Sequence, residues 1–271
     1  MAFIPELWST QFNDQLDKML VFNKVVNTKF ENEIARGGDT LHISEIGPIT
    51  VNSYDGTDIV SQELNADDLT LKIDQKKYFS FTLNDVTKAQ TDLAWMSKAM
   101  ERAAYAVKNE VDSYIAGLYS GLKAFSSSTY TIGSGDSDTN AYDFVVDVST
   151  KLSEQDVPES ERFIVIPPWL HGELMKVAEY ASAFKEYNVT GQIPMVAGLS
   201  IMKSNNIKTT TTTYHIISGT TQAISYAGQI EKMESFRTEK NFKDGVKGLF
   251  VYGAKVVIPA AGLHISVKKG S

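Results

Sequence analysis

LTLKIDQKKYFSFTL, residues 69–83, carries six large apolar side chains at odd positions: Leu69, Leu71, Ile73, Phe79, Phe81 and Leu83. In one continuous strand these six share a face, because successive side chains alternate across the backbone. Fifteen residues at about 3.3 Å each would make a ribbon roughly 50 Å long, far beyond the usual five or six residues. Upstream lies DGTDIVSQELNADD (55–68), a polar stretch suited to a hairpin tip. Before it, Gly37-Gly38-Asp39 reads as a turn, and Thr40–Ser44 and Ile49–Tyr54 as strand-like runs separated by Gly47-Pro48. The pattern therefore predicts a long hairpin with one apolar face. An isolated two-stranded hairpin is marginal in water, and six such side chains represent on the order of 10 kcal/mol if buried. Either this chain's own core or a neighbouring subunit must cover that face, and periodicity alone leaves both open.

After Asn84 the apolar period changes from two to 3.6. Val86, Ala89, Leu93, Met96, Met100, Ala103, Val107, Val111, Tyr114 and Leu118 recur at spacings of three and four. No proline interrupts the run, and Gly117 and Gly121 mark its end. A helix over Asp92–Ser120 would be about 43 Å long. Lys98, Glu101, Arg102, Lys108 and Asp112 fill its polar side, so it reads as a one-sided strut.

On the N-terminal side, residues 1–36 read as an extended or partly helical arm. Trp8, Phe12, Leu16, Leu20, Phe22, Val25, Val26 and Phe30 are its apolar side chains, with a short amphipathic helix near Phe12–Leu20. Toward the C-terminus, SSSTYTIGSGDSDTN (126–140) reads as a loop, and Phe144, Val145, Val148 and Leu152 as a short helix. RFIVI (162–166) is a buried strand stopped by Pro167-Pro168, and Trp169–Lys176 resumes helical spacing. GQIPMVAGLSIMKSNN is turn, strand, turn. The run at 209–213 is a loop or edge before the strand YHII, and 223–269 holds several strands broken by glycines.

Composition narrows the function. The chain has 271 residues, 42% hydrophobic and 22% charged, as globular proteins do, and no cysteine. Disulfides, thiolate nucleophiles and cysteine metal sites are thereby excluded. MAFIPELWSTQFNDQL lacks the basic and apolar regions of a signal peptide, and no apolar run reaches the roughly 18 residues of a membrane span. The net charge of −7 comes with dispersed lysines and arginines, whereas tight nucleic-acid binding needs a basic stripe.

No catalytic, cofactor-binding or metal-ligating constellation stands out. His42, His171, His215 and His264 form no HExxH and no i,i+4 pair, so each reads as a surface or satisfied core residue rather than a ligand. Ser-x-x-Lys occurs at Ser120, Ser182, Ser200 and Ser266 without the other motifs of that enzyme class. Asp136 and Asp138 lack the spacing and terminal Glu of a calcium loop.

The order of elements resembles the shell subunit of tailed bacteriophages, the α+β capsid fold named after phage Hong Kong 97. GDTLHI, YFSFTLNDVTKAQTDL, AAYAVKNEVDSYIAGLY, RFIVIPPWLHGEL, GQIPMVAGLSIMKSNN and GLFVYGAKVVIP are similar to successive pieces of that family across nearly the whole chain. The resemblance implies an N-terminal arm (1–40) and an extended β-hairpin loop (41–83). It further implies a peripheral domain with a spine helix (84–122 plus 222–260) and an axial α/β domain (123–221 plus 261–271). It also implies a non-enzymatic function, self-assembly through pentamers and hexamers into an icosahedral shell around double-stranded DNA. Intersubunit contacts are expected from Leu69, Leu71, Ile73, Phe79, Phe81, Tyr54, Asp55 and Glu63 of the hairpin, and from Trp8 and Phe12 of the arm. Expected partners are further copies of the chain, scaffolding and portal proteins, and packaged DNA touched non-specifically, with no membrane. The expected location is the virion, assembled in the bacterial host cytoplasm. Some relatives carry a cleaved helical segment ahead of the shell domain; this sequence starts almost directly at the arm, which implies a separate scaffold or a mature form. A crosslink through Lys72, Lys76 or Lys77 has no motif to support it. Two alternatives remain: an encapsulin-like nanocompartment shell, which shares the fold, and a soluble enzyme, for which no residues can be nominated. A tail-tube protein fits the long helix poorly.

Overall fold

The computed structural model describes residues 22–29, 40–46, 49–51, 53, 66–84, 94–126, 128–133, 135, 138–177, 180, 195–238 and 243–270. In chain order the first elements are β1 (Thr40–Ile46), β2 (Ala66–Lys72), β3 (Gln75–Asn84) and the long helix α1 (Ala94–Gly117). Then come β4 (Lys123–Ala124), β5 (Tyr130–Ile132), α2 (Ala141–Ser153), β6 (Phe163–Ile166) and α3 (Pro168–Lys176). The remainder is β7 (Ser200–Lys203), β8 (Thr209–Thr210), β9 (Thr213–Gly219), β10 (Ile224–Arg237), β11 (Lys243–Val256) and β12 (Gly262–Lys269).

Two sheets and a hairpin organise these elements. β10, β11 and β3 form a three-stranded antiparallel sheet, in which β10 and β11 each run 14 residues and a bulge falls between Ile230 and Lys232. α1 lies along one face of it. Met100, Ala104, Val107, Val111 and Ile115 from the helix meet Tyr226, Val246, Phe250 and Tyr252 from the sheet, with Phe79 and Phe81 packed alongside. This is the apolar stripe read from the sequence. The helix begins in the described residues at Ala94, and after Gly117 its last turn tightens into a 3-10 segment, Leu118–Gly121. Phe22, Val25 and Val26 fill the same core, and Asn27 is bonded to β10 through Ile224 and Tyr226. That part of the arm is therefore fastened to its own chain.

The second sheet has seven strands. β4, β12, β9, β6 and β7 follow in that order, while β5 also pairs with β12 and β8 with β9. β6 is buried at all four positions, which its unbroken apolar run FIVI requires when both faces are covered. Phe163 and Val165 face the α1 core, while Ile164 and Ile166 join Phe144, Val148, Leu152, Leu170 and Leu174 beneath α2 and α3. Asn140 caps α2 by accepting from the Tyr142 N–H at 3.1 Å. Arg162, 3% exposed, ties the turn after α2 to β6: it donates to the carbonyls of Pro158 and Val157 and to Ser153 Oγ.

Three sequence readings need correction. The run 69–83 is not one strand. β2 pairs with β1, whereas β3 pairs with β11, and the chain leaves strand geometry at Ile73-Asp74. Gly253 of β11 leaves room for this crossing: a Cβ there would lie 2.2 Å from the Lys72 carbonyl oxygen, where β2 passes over the sheet instead of continuing in it. Ile49–Tyr54 is not a strand where it is described; Ile49 and Val51 are solvent-exposed outside any ladder. Finally, the loop 126–140 contains β5, whose Ile132 is fully buried because β12 offers it a parallel partner from the far end of the chain.

Candidate subunit interface

The hairpin is built from its cross-strand pairs. Leu41 faces Leu71 and Ile43 faces Leu69, while His42 and Thr70 point the other way. The apolar face lies on the three-stranded sheet, on the side opposite α1. There Leu71 and Ile73 are buried with Ala227 and Val251, and Leu41, Ile43 and Leu249 pack around them. Lys255 reinforces the seat by donating from Nζ to the Thr70 carbonyl at 2.9 Å. Side chains that share odd parity thus cover opposite faces of one sheet: Leu71 and Ile73 outside, Phe79 and Phe81 inside against the helix. The crossing at Ile73-Asp74 makes this possible.

Leu71, 0% exposed, and Ile73 are therefore already enclosed by their own chain, and Leu69, Phe79 and Phe81 are half-buried in it. Of the other expected contact residues, Tyr54, Asp55 and Glu63, with Trp8 and Phe12 of the arm, lie outside the described residues. What does stand exposed is Ile49 at 66%, Val51 at 93% and Tyr78 at 80%. Tyr78 opposes Leu249 on the outer face of the sheet, beside a groove lined by Ser80, Lys232, Glu234 and Lys247. Lys247 donates to Glu234 at 2.9 Å and holds that carboxyl below its ordinary pKa. The outer edge of β3 has no strand partner among the described residues, and Lys76 and Lys77 sit on it as charged edge residues do. Lys77 also reaches Glu110 of α1 at 3.0 Å.

Charge is divided along this element. Residues 54–68 contain Asp55, Asp58, Glu63, Asp67 and Asp68 and no lysine or arginine, while Lys72, Lys76 and Lys77 follow directly. In sequence, therefore, an acidic stretch is followed directly by three lysines.

Two groups escaped the sequence reading. Asp112, on the polar side of α1, is only 1% exposed, and burial pushes its carboxyl up to about 6 against the opposing influence of Asn206, Lys108 and the Phe22 N–H. His215 and His264, 49 residues apart, meet with Nδ1 and Nε2 at 3.0 Å. Burial lowers both, and His264, with His215 beside it, falls to about 4. No local spacing could have joined them, because only the β9–β12 register does so. Among the described residues no cluster of three or more metal-ligating side chains occurs, and no helix is long and apolar enough to cross a membrane.

Comparison with known proteins agrees with this geometry. A family model described as phage capsid protein matches residues 66–265. Of the solved structures, a chain of Mycobacterium phage Che8 is 26% identical, with 91% of each chain covered and a TM-score of 0.72. The capsid of Ralstonia phage GP4 is 14% identical, covering 89% of this chain and 85% of its own, with a TM-score of 0.65. A virus-like particle from Pyrococcus furiosus is 13% identical, covering 96% and 98%, with a TM-score of 0.61. A search of curated proteins finds no match. The rooted hairpin, the helix along a three-stranded sheet and the matched region together place this chain in the phage capsid protein family.

Proposed function

We propose that the chain is the major capsid protein of a tailed phage, assembling through pentamers and hexamers into an icosahedral shell around double-stranded DNA. It acts by packing and electrostatics, without catalytic residues or cofactors. The observation that carries this reading is the hairpin: its root is satisfied within the chain, while Ile49 and Val51, between its two strands in sequence, stand exposed. Apolar exposure of that kind suits a contact with a second subunit. The basic strand behind the hairpin root offers a complementary receiver on a neighbour, through Lys72, Lys76 and Lys77. Many modest contacts of this sort, repeated by symmetry, hold a closed shell.

In this reading the arm is 1–40 and the hairpin proper is 41–72, with its contact to a neighbour made by Tyr54, Asp55, Glu63 and the exposed residues before them. Leu69, Phe79 and Phe81 brace it from within. The three-stranded sheet with α1 corresponds to the peripheral domain, and the seven-stranded sheet with α2 and α3 to the axial domain around the five- and six-fold centres. Trp8 and Phe12 extend the arm toward a neighbour. Scaffolding and portal proteins and the packaged DNA are further partners, and assembly takes place in the host cytoplasm before the subunit becomes part of the virion.

Deleting residues 55–65 spares both hairpin strands and tests the clamp. The expected subunit folds, with wild-type circular dichroism, but forms no shells under electron microscopy. Normal shells from that variant would refute the role. The likeness to the Pyrococcus furiosus particle supports a second reading, a nanocompartment shell, which predicts particles holding protein cargo instead of nucleic acid.

A further inference from the structure

We propose that His215 and His264 form a two-histidine site for a divalent cation of borderline softness, the class of Zn²⁺, Ni²⁺ and Cu²⁺. The two rings project from the same face of neighbouring antiparallel strands, β9 and β12, whose register sets Ser266 opposite His215 and Ile217 opposite His264. Both strands lie inside the seven-stranded sheet, so the backbone carrying each ligand is held on both sides. Tyr119 fixes the rings further: it stacks on His215 at 4.2 Å between centroids and 2° between planes, and lies 4.6 Å from His264.

The facing nitrogens, His215 Nδ1 and His264 Nε2, are 3.0 Å apart and share one proton between them. Two imidazole nitrogens bound to one tetrahedral cation at about 2.0–2.1 Å stand roughly 3.4 Å apart, so the rings need part by only about 0.4 Å. Proton balance is met within the pair. The ring that donates the shared proton moves it to its own far nitrogen, which leaves a lone pair on each facing nitrogen and releases none to solvent. For His215 the far nitrogen is Nε2, and Thr210 Oγ1 lies 3.1 Å from it. A hydroxyl both donates and accepts, so Thr210 supports either tautomer and orients the ligand from behind. Both rings are half-buried and so within reach of solvent, and water completes the coordination. A bound cation would brace β12, which ends the described chain, against β9.

Chelator-stripped, full-length protein titrated calorimetrically with ZnCl₂ should bind about one cation per chain, and MgCl₂, a hard cation, should give no heat at this site. His215→Gln and His264→Gln should each weaken Zn²⁺ binding at least about tenfold, and Thr210→Val should weaken it by a smaller factor. His42→Gln should leave it unchanged. Cu²⁺ bound to the unmutated protein should show electron paramagnetic resonance coupling to two imidazole nitrogens, a readout that holds even where a variant misfolds. Wild-type affinity in both His215→Gln and His264→Gln, or a Cu²⁺ spectrum without two-nitrogen coupling, would overturn the assignment, as would absence of Zn²⁺ binding by the unmutated chain.

Discussion

Asp112→Asn tests how α1, the N-terminal segment and the seven-stranded sheet are joined. The carboxyl is 1% exposed; Oδ2 lies 3.5 Å from Asn206 Nδ2, the Phe22 N–H donates to the group, and Oδ1 has no partner. Burial dominates and raises its pKa from 3.8 to about 6. Between those values the folded chain holds a proton that the unfolded chain has released. Stability therefore falls as pH rises across that window, and the carboxylate is a net cost at neutral pH. The full difference is about 3 kcal/mol, of which roughly 2 kcal/mol falls between pH 4.5 and pH 7.5. Asn carries no charge, so the stability of the variant relative to wild type should rise by about 2 kcal/mol over the same interval. Any hydrogen bond altered by the amide adds an offset that does not change with pH. Urea denaturation of unassembled subunits, followed by circular dichroism at pH 4.5, 6.0 and 7.5, measures this directly. A difference that stays flat with pH, or shrinks as pH rises, would refute the reasoning.

Two further predictions concern packing. Leu71→Ala removes a fully buried side chain from the hairpin root and should cost about 2–5 kcal/mol in subunit stability; an unchanged subunit that fails only in assembly would mean that Leu71 is covered by a neighbour instead. Arg162→Leu leaves the carbonyls of Val157 and Pro158 without their side-chain donor and should lower stability by about 2–4 kcal/mol, read as a reduced denaturation midpoint; a change under about 0.5 kcal/mol, typical of a surface site, would contradict it.

How far the sequence could be read depended on the range of the interaction. α1 was legible because Met100, Val107, Val111 and Ile115 repeat at the helical period and meet one continuous core. β6 and α3 were legible because FIVI and the Pro167-Pro168 step act locally. The break at Ile73-Asp74 was not. Parity runs unchanged through Leu71, Ile73, Phe79 and Phe81, and the change of layer depends on distant partners: β2 pairs with β1 and β3 with β11, where Gly253 leaves room for the Lys72 carbonyl. β5 was hidden for a similar reason, since its partner β12 closes the described chain. The histidine pair depends wholly on strand register and has no signature in one dimension. The hairpin itself was legible as an element, but which of its residues face this chain was settled by packing against β11.

Whether this chain builds a shell is decided most directly by the size and shape of its assemblies. Full-length protein, expressed alone and together with the genes beside its own, should be sized by light scattering and imaged by negative-stain microscopy. Closed particles, or rings of five or six subunits, are the predicted result. A 29.9 kDa monomer that persists through co-expression would contradict it.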